Sequence, residues 1–238
     1  MRIIGKVCFL AALIFGVMNA EESGGFVGVQ LGGGELTMES SAKGLSGSVN
    51  GITNGTSKIG GGGVALGIVG GYKQFFTQYL GLRYYANVDF IIANVKSIDS
   101  NAKGIYGYDD WNTNLINYGV NVDFLANFIS NETLDFGGFI GLGLGGSTYM
   151  GDGIDKLQDF INGYANVLNV DGELSKTGFD LALNIGLRVN IAQNHGVEVA
   201  ARVPFIKTTL LEKNISGAKI TFTAHNPYRI VARYAYSF

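Results

Sequence analysis

The stretch that decides the fold is FDLALNIGLRVNI, residues 179–191. Every second residue in it is apolar, from Phe179 to Ile191, and the residues between them are polar or small. A period of two is the spacing of a β-strand, in which successive side chains point to opposite faces of the sheet. The sequence therefore predicts a strand with one apolar face and one polar face.

Seven more segments alternate in the same way, at residues 27–31, 64–72, 80–90, 116–126, 136–144, 197–205 and 228–238. In all eight segments the apolar register carries no charged residue. The alternate register holds nine charges: Arg83, Asp89, Asp123, Asp180, Arg188, Glu198, Arg202, Arg229 and Arg233. Alternation alone fits either a soluble sandwich with its apolar face inward or a transmembrane barrel with its apolar face outward.

The connections between the segments favour the barrel. Stretches of 22 to 34 residues alternate strictly with stretches of 5 to 9 residues. Transmembrane barrels have this arrangement, with short periplasmic turns and longer outer loops. Aromatic residues near the strand ends or in the outward register predict interfacial girdles: Tyr72, Tyr84, Tyr118, Tyr228 and Phe238. Because no backbone group can stay unpaired in hydrocarbon, the strands must close on themselves. We predict an all-β fold, an eight-stranded antiparallel transmembrane β-barrel with four long outer loops and short periplasmic turns.

The composition excludes several classes of protein. Only 15% of the residues are charged, against about 25% in ordinary soluble domains, and no apolar run after residue 20 is long enough for a membrane-spanning helix. Residues 1–20 read as a signal peptide, with Arg2 and Lys6 before a short apolar run and a cleavage site after Ala20. Its removal takes the net charge from −2 to −4, which argues against a nucleic-acid partner. We predict export to the cell outer membrane, with residues 21–238 forming the barrel.

No motif in the sequence predicts catalysis. The stretch GLGLGG, residues 141–146, has the glycine spacing of a dinucleotide-binding turn, but its alternation predicts a strand that packs small residues inward. His195 and His225 are the only histidines, and no triad geometry is fixed around either of them. The single cysteine, Cys8, falls in the predicted signal peptide. We therefore expect no enzymatic activity, no cofactor and no metal.

The nine inward charges, interleaved with asparagines, have two interpretations. They could line a selective channel, or they could fill the interior with hydrogen bonds, because eight strands leave a lumen just wide enough for side chains. We favour the filled interior. Strand register further predicts that Glu198 bridges two guanidinium groups, those of Arg188 and Arg233. In the third long loop, helical spacing of apolar residues over 154–168 predicts a short amphipathic helix.

Several stretches resemble the Helicobacter-type outer-membrane protein family: GFVGV (25–29), YGVNVDFLANF (118–128), HGVEVAARVPF (195–205) and RYAYSF (233–238). The resemblance implies a family of porins and adhesins, the adhesins carrying a large domain between the first strand and the other seven. Here that interval is 32 residues and contains no cysteine, so the adhesin role is not carried over. In outer-membrane barrels generally, a terminal aromatic strand is the signal for the barrel-assembly machinery, which assigns that role to Tyr234, Tyr236 and Phe238.

Two functions remain open from the sequence. The first is a structural surface barrel that displays its outer loops, for adhesion or contact with host or neighbouring molecules. The second is porin-like passage of ions or small solutes. Either way, the expected partners are outer-membrane lipid and lipopolysaccharide, the barrel-assembly machinery and a surface ligand of the loops.

Overall fold

In the computed structural model, eight antiparallel strands form a closed ring. Residues 21, 23–44, 54–97, 110–131, 133–168, 172–215 and 218–238 are described; the predicted signal peptide lies outside them. In ring order the strands are β1 (Gly24–Lys43), β2 (Gly55–Phe75), β3 (Leu80–Ser97), β4 (Asp110–Ser130), β5 (Leu134–Met150), β6 (Thr177–Ile191), β7 (His195–Pro204) and β10 (Arg229–Ser237). β10 pairs with β1 along its whole length and closes the ring. The predicted fold class is confirmed.

Three further elements lie at the loop end of the ring. The helix α1 (Asp152–Leu168) follows β5, where the sequence predicts it. Strands β8 (Thr208–Ile215) and β9 (Ala218–His225) form a hairpin, and β9 pairs with the far part of β1. The last of the four predicted outer loops, the 22 residues 206–227 between two ring strands, therefore contains a hairpin that the sequence did not predict. No helix among the described residues is long and apolar enough to cross a bilayer.

The chain's two prolines separate this hairpin from the ring. Pro204 is the last residue of β7, and Pro227 lies between β9 and β10. Proline has no backbone N–H to donate to a ladder, and the ladder is interrupted between the Arg202–Arg229 and Thr208–Ala224 pairs. The side chain of Asn226 fills in there, since its Nδ2 donates to the carbonyl oxygens of Glu35 and Tyr228 at 2.7 and 3.1 Å.

The polarity of the wall inverts along the strands. Midway along the strands, the inward residues are polar and the outward ones are exposed and apolar, as in a barrel surrounded by lipid. Towards the loops the inward register turns apolar: on β3 it passes from Arg83, Asn87 and Asp89 to Ile91, Ala93 and Val95. These residues belong to a buried apolar core that also contains residues of α1, β8 and β9. The inversion marks where the strands leave the hydrocarbon and enclose a core like that of a soluble protein.

Candidate functional site

The middle of the barrel is crossed by a buried arginine. Arg83 on β3 donates through NH2 to Asp123 Oδ2 at 2.7 Å, and its NH1 contacts Glu198 Oε1 on β7. The other oxygen of Glu198 accepts a bond from Arg233 NH1 at 3.0 Å. Strands β3 and β7 are four places apart in the ring, hence diametrically opposite. The contact between Arg83 and Glu198 therefore crosses the lumen. We call these four residues the middle layer.

Aromatic rings surround the same guanidinium. The Cζ atom of Arg83 lies over the rings of Phe139, Tyr85 and Phe26, at 4.6, 5.1 and 5.8 Å from their centroids. Such contacts favour a cation, the more so when water is excluded. All three rings are buried, so this layer is packed as well as paired.

A second layer lies nearer the loops and is formed by Asp89, Asn117, Asp180, Arg202 and Arg229; we call it the loop layer. Arg229 NH2 lies 2.9 Å from Asp89 Oδ2 and 3.1 Å from Asn117 Oδ1. Arg202 NH2 binds Asp180 Oδ2 at 2.7 Å. Arg229 on β10 and Asn117 on β4 also come from opposite strands. A polar cavity of about 20 Å³ beside Arg202 and Arg229 has room for one water molecule.

The third layer lies at the end with the short turns and was not predicted; we call it the turn layer. Glu21, just before β1, accepts bonds from Lys73 Nζ and Arg188 NH1, both at 2.8 Å, and from Asn127 Nδ2 at 3.3 Å. Arg188 NH1 donates to Oε2 of Glu21, and NH2 of the same arginine contacts Oε1 of Glu21. Burial alone would raise the pKa of the Glu21 carboxyl, but the charges of Arg188 and Lys73 outweigh burial and hold that pKa below its ordinary value.

These contacts correct one expectation about pairing. Glu198 does bridge two guanidinium groups, but they belong to Arg83 and Arg233. Arg188 stands opposite Glu198 in the strand register, yet its guanidinium binds Glu21. Register identifies neighbours on adjacent strands, and it says nothing of a long side chain that reaches across the lumen.

The interior charge balances once the turn layer is included. Six buried basic residues face six buried acids among the described residues: Lys73, Arg83, Arg188, Arg202, Arg229 and Arg233 against Glu21, Asp89, Asp123, Asp135, Asp180 and Glu198. The nine charges read from the sequence leave an excess of one arginine. Lys73 and Asp135 share the inward register one residue beyond the predicted segments 64–72 and 136–144, so extending those segments would have found them. Glu21 lies outside every strand, and no alternation could reveal it.

The glycine-rich stretch of β5 lies in the wall of the barrel. A Cβ on Gly141 would overlap the Asp123 carboxylate, and one on Gly143 would overlap the Asn121 amide. Strand β5 runs through all of residues 141–146. The glycines therefore leave space for the polar side chains of β4, and the structure gives them no helix on which to bind a dinucleotide.

The two histidines lie at opposite ends of the barrel. His195 Nδ1 is 2.8 Å from the Tyr234 hydroxyl at the turn end, and His225 Nε2 is 3.3 Å from the Pro204 carbonyl oxygen at the loop end. Burial lowers the pKa of the His225 imidazole. The part of the chain that the structure describes contains no group of three potential metal ligands.

The proposed assembly residues lie together on the closing strand. Tyr234 and Tyr236 face outward from β10, and Phe238 follows them as the most exposed large apolar residue described. The backbone N–H of Phe238 donates to the Gly25 carbonyl oxygen at 3.0 Å. All three therefore lie at the seam where the ring closes.

The loop end of the barrel is capped and held together. The helix α1 buries Ile154, Leu157 and Ile161 in the apolar core. Gln158 fastens the chain that returns from α1, because its Nε2 donates to the Gly172 carbonyl and its Oε1 accepts from Leu174 N, at 2.6 and 2.9 Å. These contacts hold α1 and residues 172–174 against the apolar core.

Comparisons with known proteins agree with this architecture. A sequence model of the family described as Helicobacter outer membrane protein matches residues 67–238. No curated protein matches the chain. Among solved structures, the outer membrane protein OprG from Pseudomonas aeruginosa is 14% identical, with 93% of this chain and 99% of that chain covered and a TM-score of 0.51. Neisserial surface protein A is 15% identical (91% and 99% covered, TM-score 0.39), and AlkL is 13% identical (93% and 93%, TM-score 0.44). At such identities the likeness to OprG shows the fold alone.

Proposed function

The chain belongs to the Helicobacter outer membrane protein family, and we propose that it is a closed barrel in the outer membrane that displays a structured outer surface. The observation that carries the proposal is the pairing of side chains from opposite strands. Arg83 reaches Glu198, and Arg229 reaches Asn117, so the lumen is crossed at two levels. An interior that is paired and free of excess charge offers an ion neither a path nor a selective field.

The surface that the barrel displays is built for contact. Its apolar core and the bonds of Gln158 fix α1 and residues 172–174. Charged side chains stand outward around that core, among them the ion pairs Lys207–Glu39 and Lys219–Glu212. A surface already held in one conformation loses little entropy when a partner binds. We propose that host or neighbouring molecules, and lipopolysaccharide at its rim, are what this surface meets.

Electrical recording tests the closed lumen. Purified protein inserted into planar bilayers should give no steady current, because side chains of opposite strands meet across the lumen in the middle and loop layers. Folding of the same sample is checked by the shift in gel mobility between unheated folded and heated unfolded protein. A steady current proportional to voltage would overturn the proposal and favour passage of ions or small solutes.

Cysteine labelling on cells tests the display. The chain beyond the predicted signal peptide has no cysteine, so each single variant reports one site. Asn214→Cys, exposed on β8, should react with a membrane-impermeant maleimide on intact cells. Thr133→Cys, exposed in the short turn between β4 and β5, should react only after the outer membrane is permeabilised. The reverse pattern would mean that the barrel is inserted the other way up.

A further inference from the structure

The turn layer is built like a receptor for a carboxylate. Lys73, Asn127 and Arg188 come from β2, β4 and β6, and all three donate to one carboxyl group. The arginine binds with two nitrogens, each to a different oxygen, which is the geometry that guanidinium and carboxylate groups prefer. Only 3% of the surface of Glu21 is exposed. Glu21 therefore lies inside the barrel, although it belongs to no strand.

We propose that Lys73, Asn127 and Arg188 form a carboxylate-binding site, that the chain fills it with its own Glu21, and that this residue seals the turn end of the barrel. β2 and β6 are opposite strands, so Lys73 and Arg188 face each other across the lumen. In the other two layers, residues of opposite strands touch directly. Here two cations face each other, and the carboxylate between them makes the crossing.

Charge explains why the site needs an occupant. Without Glu21 the described interior holds six basic residues and five acids. Glu198 is already bound to Arg83 and Arg233, and Asp135 binds Ser130 Oγ. Lys73 and Arg188 would then lose the carboxylate that pairs with both of them, and one buried positive charge would be left in excess, which is strongly unfavourable.

The position of Glu21 links the seal to processing of the chain. The predicted signal peptide ends at Ala20, so Glu21 is the expected first residue of the exported protein. Two residues further on, Ser23 Oγ accepts a hydrogen bond from Phe75 N at 2.8 Å, which links the chain just before β1 to β2. Cleavage before Glu21 leaves the seal in place, whereas cleavage after it removes the ligand. Mass spectrometry of protein purified from outer membranes decides between them, and a mature chain beginning after residue 21 overturns the proposal.

Chemical rescue tests the site itself. Glu21→Ala should unfold at a lower urea concentration than the native chain in lipid vesicles. Sodium formate, a small free carboxylate, should raise the midpoint of the variant more than sodium chloride does at equal ionic strength, because a ligand that binds only the folded state stabilises it. Formate should act no better than chloride on the native chain, whose site is filled. Equal effects of the two salts on the variant would show that there is no carboxylate site.

Thiol labelling tests the seal by the access of a reagent to the lumen. Leu125 is buried in the inward register of β4, between Asp123 of the middle layer and Asn127 of the turn layer. The Leu125→Cys variant should react with a small charged methanethiosulfonate at least about tenfold faster when Glu21→Ala is added, because two buried cations that have lost their shared carboxylate favour opening. Glu39→Ala, which removes an exposed ion pair, is the matched control and should not change the rate. Equal rates with and without Glu21 would refute the seal.

Discussion

Arg83→Met should lower the free energy of unfolding by about 3–5 kcal/mol, the usual cost of removing one partner from a buried ion pair. The Arg83 side chain is 1% exposed and forms ion pairs with two acids, Asp123 and Glu198. Methionine replaces only the aliphatic part of the side chain, so it reaches neither acid and leaves the buried Asp123 carboxylate without its cation. Most of the loss should therefore come from charge and hydrogen bonding.

Urea titration in lipid vesicles measures this loss. Arg83→Lys keeps the charge but cannot bind two carboxylates with a planar fork, so its loss should be intermediate. Lys207→Met breaks the exposed pair with Glu39 and should cost no more than about 1 kcal/mol. If Arg83→Met and Lys207→Met cost the same, the middle layer does not hold the barrel together as described.

The strands that cross the hydrocarbon could be predicted because the lipid imposes a strict rule on them. Charged residues are excluded from the outward register, so alternation is regular: residues 179–191 predict a strand that the structure extends by two residues to Thr177–Ile191. Segment 27–31 is the opposite case, since β1 runs from Gly24 to Lys43. Its middle carries Gly32, Gly33 and Gly34, and beyond them the apolar residues face inward. Alternation with an apolar outward face therefore predicts a strand only over the part that crosses the bilayer.

The candidate site divides in the same way. The inward charges could be read from the sequence because lipid forbids them elsewhere, and all nine are buried inside the barrel. Their partners could not, because register relates adjacent strands and the contacts that cross this lumen join opposite ones. Arg83 and Glu198 are 115 residues apart in the chain. Which acid a long guanidinium reaches depends on the shape of the whole cross-section, and Glu21 enters that cross-section from outside the strands.

Val120→Arg is the substitution that tests inside against outside. Val120 is 63% exposed halfway along β4, between Ala86 and Leu144 on the neighbouring strands. An arginine near the bilayer midplane on the lipid face of a barrel costs about 2–4 kcal/mol, because its charge must leave water for hydrocarbon. Refolding titrations in vesicles give this value directly.

The control variant shortens the valine side chain without adding a charge. Val120→Ala removes apolar surface from contact with lipid but introduces no charge, so its cost should be well below that of Val120→Arg. The next residue, Asn121, points into the lumen and donates to Asn87 Oδ1 at 2.8 Å, so the two faces are separated by a single step along the chain. In detergent micelles, whose water-rich surface adapts to a charge, the difference between Val120→Arg and Val120→Ala should shrink. Equal losses in the free energy of unfolding for the two variants in vesicles would mean that the apolar register of β4 does not face lipid. The inward and outward faces assigned to the strands would then have to be exchanged.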